Sequence, residues 1–387
     1  MLSTTNRLTC PPLWTGDTRR WAVPYQPRMY RVSCGRRLLG FSRTENLMKH
    51  ISVARLARDP FGERTEARWR ARVRVLGADV TFDSNSRDLL KLVDVAYRRL
   101  PRHTLSVQPV RLRISLRVGR EISLAGLQEP PDMKLRAGAD FLCGTMDSAN
   151  FVVVAPAAQS ALVAVSSDML RWPYHARYEL IEFAVFTLAS RAQRLVPLHA
   201  ASVALGGKGV LLVGQSGAGK STLAFHCLRS GMGFVSEDST FIEPSGLRMT
   251  GVPNFLHLRA DSLDFLAGPE AAQLRKSRVI RRRSGIEKFE IDMRQTKFRM
   301  APEAPRLAGI VFLSARGPGS RGAGGQLLVP LDKSALARRL AATQSYAAGQ
   351  DSWSKFVKRT ASLPAFELRR GVHPQSGVEA LQRLLDV

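Results

Sequence analysis

GQSGAGKST, residues 214–222, constrains the fold of this chain more than any other stretch. Gly214, Gly219, Lys220 and Ser221 satisfy the pattern G-x-x-x-x-G-K-[ST], in which a glycine-rich loop wraps phosphate oxygens with backbone N–H groups. The flanks agree with it. Val210, Leu211, Leu212 and Val213 make a short apolar run that predicts a buried strand, and Ala224, Cys227 and Leu228 recur at helical spacing. A strand, a glycine turn and a helix N-terminus together make an anion site, because amide hydrogens converge there and the helix dipole favours negative charge. On this reading Gly214, Gln215, Ser216, Gly217, Ala218, Gly219, Lys220, Ser221 and Thr222 cradle the phosphates of ATP. Lys220 reaches the β- and γ-phosphates, and the Ser221 hydroxyl sits on Mg²⁺.

Phosphoryl transfer needs a carboxylate for the metal, a group to orient or deprotonate the acceptor, and positive charge on the moving phosphate. Phe234-Val235 reads as a short strand ending in Ser236-Glu237-Asp238-Ser239. Of the two acids, one is expected to bind Mg²⁺ and the other to accept a hydroxyl proton. Neighbouring strand residues point to opposite faces, so both serve only if the strand has already ended. His199 closes a strand beside the loop strand, as a partner of the carboxylates, a contact to the acceptor, or a hydrogen-bonded structural histidine. The basic run from Arg275 to Arg283 reads as a mobile surface segment: a docking patch for an acidic substrate, a phosphate clamp, or a solvated loop. Lys288 is a weaker phosphate candidate.

With 387 residues the chain exceeds one ordinary domain. Residues 1–64 are rich in Arg and Pro without a steady period and are expected to be a disordered arm. Residues 65–195 are expected to form a smaller α/β lobe and a connecting helix. There Val73, Val75, Val80 and Phe82 flank a hairpin turn at Gly77-Ala78-Asp79, Asn85 or Ser86 caps a helix through Leu100, and VRLRISLRV at 110–118 alternates as a half-buried strand. More strands are expected near 140–143, 151–154 and 161–165. A helix follows from about 175 to 194, with Tyr178, Ile181, Val185, Leu188, Ala192 and Leu195 as a core stripe. Residues 196–387 are expected to form the nucleotide-binding domain, with a strand at 309–313, a loop at 317–325, helices near 332–346 and 376–385, and a strand near 364–368.

No apolar run approaches a membrane span, and the N-terminus lacks a secretory apolar core, so a cytoplasmic protein is expected. Cysteines 10, 34, 143 and 227 show neither C-x-x-C nor metal spacing. A formal charge of +26 attracts polyanions, but no zinc-finger or RNA-binding motif accompanies it, so nucleic acid is not favoured as a partner.

LHAASVALGGKGVLLVGQSGAGKSTLAFHCLRSGMGFVSED resembles the core of the HPr kinase/phosphorylase family in order and spacing: His199, Gly214, Lys220, Ser221, Gly231, then Glu237 and Asp238. The resemblance implies an α/β fold whose P-loop core is similar to those of HPr kinase and phosphoenolpyruvate carboxykinase. It implies Mg²⁺-dependent transfer of phosphate from ATP to a serine hydroxyl of a protein or peptide, by a homo-oligomer. Position by position, Lys220 and Ser221 take the phosphate and metal roles, Glu237 that of the catalytic base, Asp238 that of its metal-binding partner, and His199 that of the histidine paired with the base. Glu237 stands where the family has aspartate, the downstream Glu-Ile-Arg-Gly signature is absent, and Asp261 and Asp264 are the candidates for a third carboxylate. Two other readings stay open: a transport-type P-loop ATPase, although no LSGGQ-type signature follows, and a non-catalytic nucleotide-binding regulator.

Overall fold

A computed structural model describes residues 67–386, apart from Val107, Glu121, Ala267, 315–326 and 370–372. The expected N-terminal arm and the loop at 317–325 lie outside the described residues. The described residues form a mixed α/β structure with three sheets.

The first sheet holds β1 (Trp69–Val75), β2 (Ala78–Ser84), β3 (Arg111–Val118), β4 (Lys134–Gly138), β5 (Phe141–Thr145), β6 (Phe151–Ala155) and β7 (Ser160–Val165), in the order β1-β2-β3-β7-β6-β5-β4. Leu76 and Gly77 turn the β1–β2 hairpin with φ of 52° and 79°, the left-handed pair that suits the right-handed twist of the strands. The turn thus falls one residue earlier than Gly77-Ala78-Asp79. Ser86 caps α1 (Arg87–Tyr97) by accepting from Asp88 N and Leu89 N, which satisfies two otherwise orphaned amides. Leu112, Ile114 and Leu116 of β3 point inward, while Arg113 and Arg117 on the outer face pair with the buried carboxylate of Asp83. The connecting helix has a regular turn at Pro173–His175, a π-helical stretch at Ala176–Ile181, and α2 (Glu182–Gln193).

The central sheet contains β8 (Val196–Leu198), β9 (Ala201–Leu205), β10 (Lys208–Val213), β11 (Gly233–Ser236), β12 (Thr240–Glu243) and β13 (Arg248–Thr250). The third sheet follows in the chain: β14 (Phe255–Leu258), β15 (Arg278–Arg281) and β16 (Glu287–Asp292), in the order β14-β16-β15. β17 (Arg306–Leu313), β18 (Leu328–Pro330) and β19 (Ala365–Leu368) complete the central sheet, where β10 and β17 run parallel and β17 pairs in parallel with β19. Because β9 is antiparallel to both β10 and β11, those two share a direction and end at one edge.

Helices cover both faces of the central sheet. α3 (Lys220–Arg229) and the final helix Pro374–Asp386 bury Leu223, Ala224, Cys227, Val378 and Leu381 against Val203, Val210, Leu212 and Val311. Helices Lys333–Thr343 and Trp353–Thr360 cover the other face through Leu336, Leu340 and Phe356. The far side of α3 packs Phe225 and Leu228 on Leu256, Leu258 and Ile291 of the third sheet. Each such buried side chain contributes about 1.5–3 kcal/mol, so α3 is held from two directions and its N-terminus is fixed in place. The elements packed on the first sheet join this body: Phe186 of α2 makes a ring contact with Phe241, and His103, between α1 and β3, bonds Thr250 Oγ1 and the Ala301 carbonyl.

One expectation about the third sheet fails. The basic run is no loose surface segment: Arg278–Arg281 is β15, and the Arg283 guanidinium is held by Glu179, Glu129 and Asp132. Tyr178 is also more than core packing, since its hydroxyl is bonded on both sides. Among the described residues, no helix is long and apolar enough to cross a membrane.

Candidate functional site

β10 and β11 deliver two polar loops to the same edge of the central sheet. The first is 214–219. Gly217 and Gly219 have φ of 79° and 93°, left-handed values that exclude most side chains without strain. A Cβ on Gly214 would lie 3.1 Å from Ala218 Cβ, so the loop folds tightly on itself. Gly219 is the N-cap of α3 and offers no side-chain bond, which leaves the first-turn amides without a side-chain cap. Gln215, Ser216 and Gly217 are exposed, whereas Ala218 and Lys220 are buried.

The second loop follows β11, which ends at Ser236. The Ser236 hydroxyl donates to the Ser239 carbonyl at 2.7 Å and closes a turn around Glu237 and Asp238. Since the strand has ended, the two acids escape strand alternation. The neighbouring backbone is close as well: a Cβ on Gly251 would lie 2.6 Å from Ser236 Cβ and 2.7 Å from the Val235 carbonyl oxygen.

Glu237 is 5% exposed and meets α3 directly, because Ser221 Oγ donates to its Oε1 at 2.8 Å. Its other oxygen accepts from His257 Nδ1 at 2.6 Å and from the His257 amide at 3.0 Å. Lys288 Nζ lies 3.5 Å from Oε1. Burial works to raise the Glu237 pKa, but the charge and hydrogen bond of His257, then Lys288 and Arg282, outweigh it and hold the carboxyl far below the usual range. For His257 burial opposes the charged form, yet Glu237 and Glu290 win and raise its pKa.

Asp238 sits in a different environment. Its side chain is 43% exposed, and Oδ1 lies 3.1 Å from Nδ1 of His199, itself 54% exposed. The opposite ring nitrogen of His199 lies 3.4 Å from Lys220 Nζ. One tautomer satisfies both contacts, with Nδ1–H donating to Asp238 and Nε2 accepting from Lys220. Lys220 also donates to the carbonyls of Gly214 at 2.7 Å and Gln215 at 3.3 Å. Burial lowers its pKa, against the pull of Asp238 and Glu237. His199 therefore pairs with Asp238, where the family resemblance implied a pairing with Glu237.

Thr222 turns aside from the acids to bond Ser262 Oγ at 2.8 Å. Asp261 and Asp264 are surface residues in ion pairs with Arg259 and Arg275, so neither supplies a third carboxylate. Among the described residues, no three His, Cys, Asp or Glu side chains converge as a metal-holding group.

Several partners were not foreseen. His257 on β14 is the register partner of Glu290 on β16. Tyr178 OH donates to Glu290 Oε1 at 2.7 Å and lies 2.9 Å from His257 Nε2, while Arg177 forms an ion pair with Glu290. A buried chain thus runs from Glu237 through His257 and Tyr178 to Glu290 and Arg177, ending on the π-helical stretch of the connecting helix. Gln344 clamps the other side, accepting from the His199 amide at 2.7 Å and donating to its carbonyl at 3.2 Å. Arg282, on the turn between β15 and β16, faces Tyr174, Glu237 and Asp238, which raise its pKa against the effect of burial. The unusual position of His257, alone and polar within the apolar FLHL strand, was the available signal.

No protein-family model and no curated protein matches the chain. Among solved structures, the HPr(Ser) kinase/phosphatase from Coxiella burnetii is similar over 48% of this chain and 94% of that one, at 12% sequence identity and a TM-score of 0.24. A likeness at that level carries no weight for function.

Proposed function

We propose that the chain is an ATP-dependent kinase that transfers the γ-phosphoryl group to a hydroxyl, with serine in a protein or peptide as the acceptor. One observation carries this reading: at an uncapped helix start, Ser221 bonds Glu237 directly and Lys220 reaches Asp238 through His199, which links the loop to two carboxylates of opposite character. The residues fit the ligands. Side-chain-free amides of 216–221 suit an anion, and Lys220, resting on two carbonyls, is free to exchange them for phosphate oxygens. Ser221 Oγ and Glu237 are hard oxygen donors of the kind Mg²⁺ takes beside phosphate and water. Mg²⁺ held there would neutralise charge that builds on the phosphoryl oxygens.

The two acids divide the work by environment. Glu237 is buried, engaged on both oxygens and depressed in pKa, which suits a metal-side carboxylate and makes it a poor proton acceptor. Asp238 is open to solvent on one side and oriented by His199, so the base role falls to Asp238 rather than to Glu237. Asp238 accepts the acceptor hydroxyl's proton as that oxygen bonds to the γ-phosphorus. The bond from this phosphorus to the β–γ bridging oxygen breaks, and ADP leaves with the electron pair. Lys220, with Lys288 and Arg282 behind the acids, offsets the charge of the transition state. The test is transfer of label from γ-labelled Mg·ATP to a serine-containing peptide library. Wild type labels the peptides and Asp238→Asn and Lys220→Ala do not; equal labelling by all three contradicts the proposal.

A further inference from the structure

One cluster near the loop takes no part in the chemistry above. His226 is 0% exposed, and neither ring nitrogen has a hydrogen-bond partner among the described residues. A buried polar group left so is costly and calls for an explanation. Its ring is surrounded by aromatic edges: Phe265 at 6.0 Å, His373 at 5.5 Å and Phe225 at 5.7 Å, each T-shaped. Phe265 and His373 also meet each other edge-on at 5.6 Å. Phe225 is buried, but Phe265 is 39% exposed and His373 is exposed, so two rings open to solvent above a sealed third. Burial first, then Arg229 and His373, hold the His226 pKa at about 4, and its neutral ring adds no charge to the cluster.

The position along the chain matters as much as the chemistry. His226 follows Thr222 by four residues on α3, just over one turn or about 6 Å along the same face. Phe265 follows Ser262 by three residues, and Ser262 is bonded to Thr222. Two independent routes therefore lead from the last residue of the phosphate loop to the same aromatic cluster. A nucleotide whose phosphates occupy 214–222 must send its ribose and base somewhere from there, and a flat π-rich base gains by stacking on aromatic rings.

We propose that Phe265 and His373, backed by His226, form the seat for the purine ring of the bound nucleotide. This rests on the reading of 214–222 as a nucleotide-phosphate loop. The seat selects by ring stacking rather than by charge, so it discriminates a nucleotide from a bare polyphosphate carrying the same groups on the loop.

Calorimetric titration with Mg·ATP and, separately, with Mg·tripolyphosphate tests it. In wild type both bind, ATP more tightly. In Phe265→Ala the ATP dissociation constant rises about fivefold or more, the loss associated with removing one stacking ring, while tripolyphosphate binding stays as in wild type. Phe265→Trp keeps a ring and keeps ATP affinity within about twofold on the same stacking argument. Unchanged tripolyphosphate binding in Phe265→Ala shows that the variant is folded at the loop. If wild type binds the two ligands equally, or if Phe265→Ala weakens neither or both alike, the seat is overturned while the phosphate loop stands. If wild type binds neither, the kinase reading falls and the seat with it.

Discussion

His257→Leu isolates the buried pair on which the acidic corner depends. Glu237 and His257 are each 5% exposed, and the bond between them is 2.6 Å. Breaking a buried ion pair by removing one partner costs about 3–5 kcal/mol, since the remaining charge is stranded. Here Glu237 keeps the amide of residue 257 at 3.0 Å, Ser221 Oγ at 2.8 Å and Lys288 at 3.5 Å, so the lower end applies, about 3 kcal/mol. At about 2 °C per kcal/mol for a long chain, the Tm falls by about 6 °C. His257→Gln, which restores a neutral donor, recovers part of the loss. The pH dependence identifies the cause. Glu237 has a folded pKa below its ordinary 4.5, so its contribution is present above that value and fades as pH falls through the depressed pKa. His257 has a folded pKa above 6.5, so its contribution is complete below 6.5 and fades as pH rises through the raised value. The gap between wild type and His257→Leu is therefore widest between about pH 4.5 and 6.5 and narrows on both sides. Thermal melts from well below pH 4.5 to well above pH 6.5 provide the check. A shift below about 1 °C, or a gap that ignores pH, refutes the reasoning.

Asp238→Asn leaves the melting temperature within about 1 °C, because the side chain is half-exposed. Peptide phosphorylation by the same variant drops about a hundredfold or more, as for loss of a general base, and rate measurements at saturating ATP will show it. Gly251→Ala drives a methyl group into Ser236 and the Val235 carbonyl and lowers stability by about 1–3 kcal/mol, read by urea titration. Gln344→Ala strands the buried end of the His199 loop; kcat falls more than KM changes, and about 1–3 kcal/mol of stability is lost. Cys227 resists thiol reagents in the folded protein, because burial pushes its thiol far above the ordinary range, and mass mapping before and after denaturation distinguishes the two states.

What was legible in the sequence was local. The turn at Gly77, the Ser86 cap and the strand–loop–helix around 214–222 each rest on a few adjacent residues whose backbone needs are specific. Ser236-Glu237-Asp238 was visible as a strand end, but the division between the two acids was not. It arises from partners twenty or more positions away: His257 for Glu237, and His199 for Asp238. The third sheet escaped notice because its strands are short and its polar residues face one another. His257 and Glu290 meet only through the β14–β16 register. Tyr178 fell at helical spacing and so passed for core, since periodicity reports which face is buried and says nothing about what the hydroxyl at its end will touch. For Arg282 and Arg283, composition leaves a docking patch, a phosphate clamp and a solvated loop open, for the same reason. Both turn inward to carboxylates contributed by distant segments, Arg283 to Glu179 and Arg282 towards Glu237 and Asp238.

The coupling of metal to nucleotide tests the site most directly. ATP affinity is measured with and without Mg²⁺ in wild type, Ser221→Ala and Glu237→Gln. Wild type binds ATP, and Mg²⁺ tightens binding severalfold; both variants lose most of that tightening while retaining metal-free affinity. Mg²⁺ acting equally on all three proteins, or a wild type that does not bind ATP, contradicts the assignment of Ser221 and Glu237 to a metal-nucleotide site.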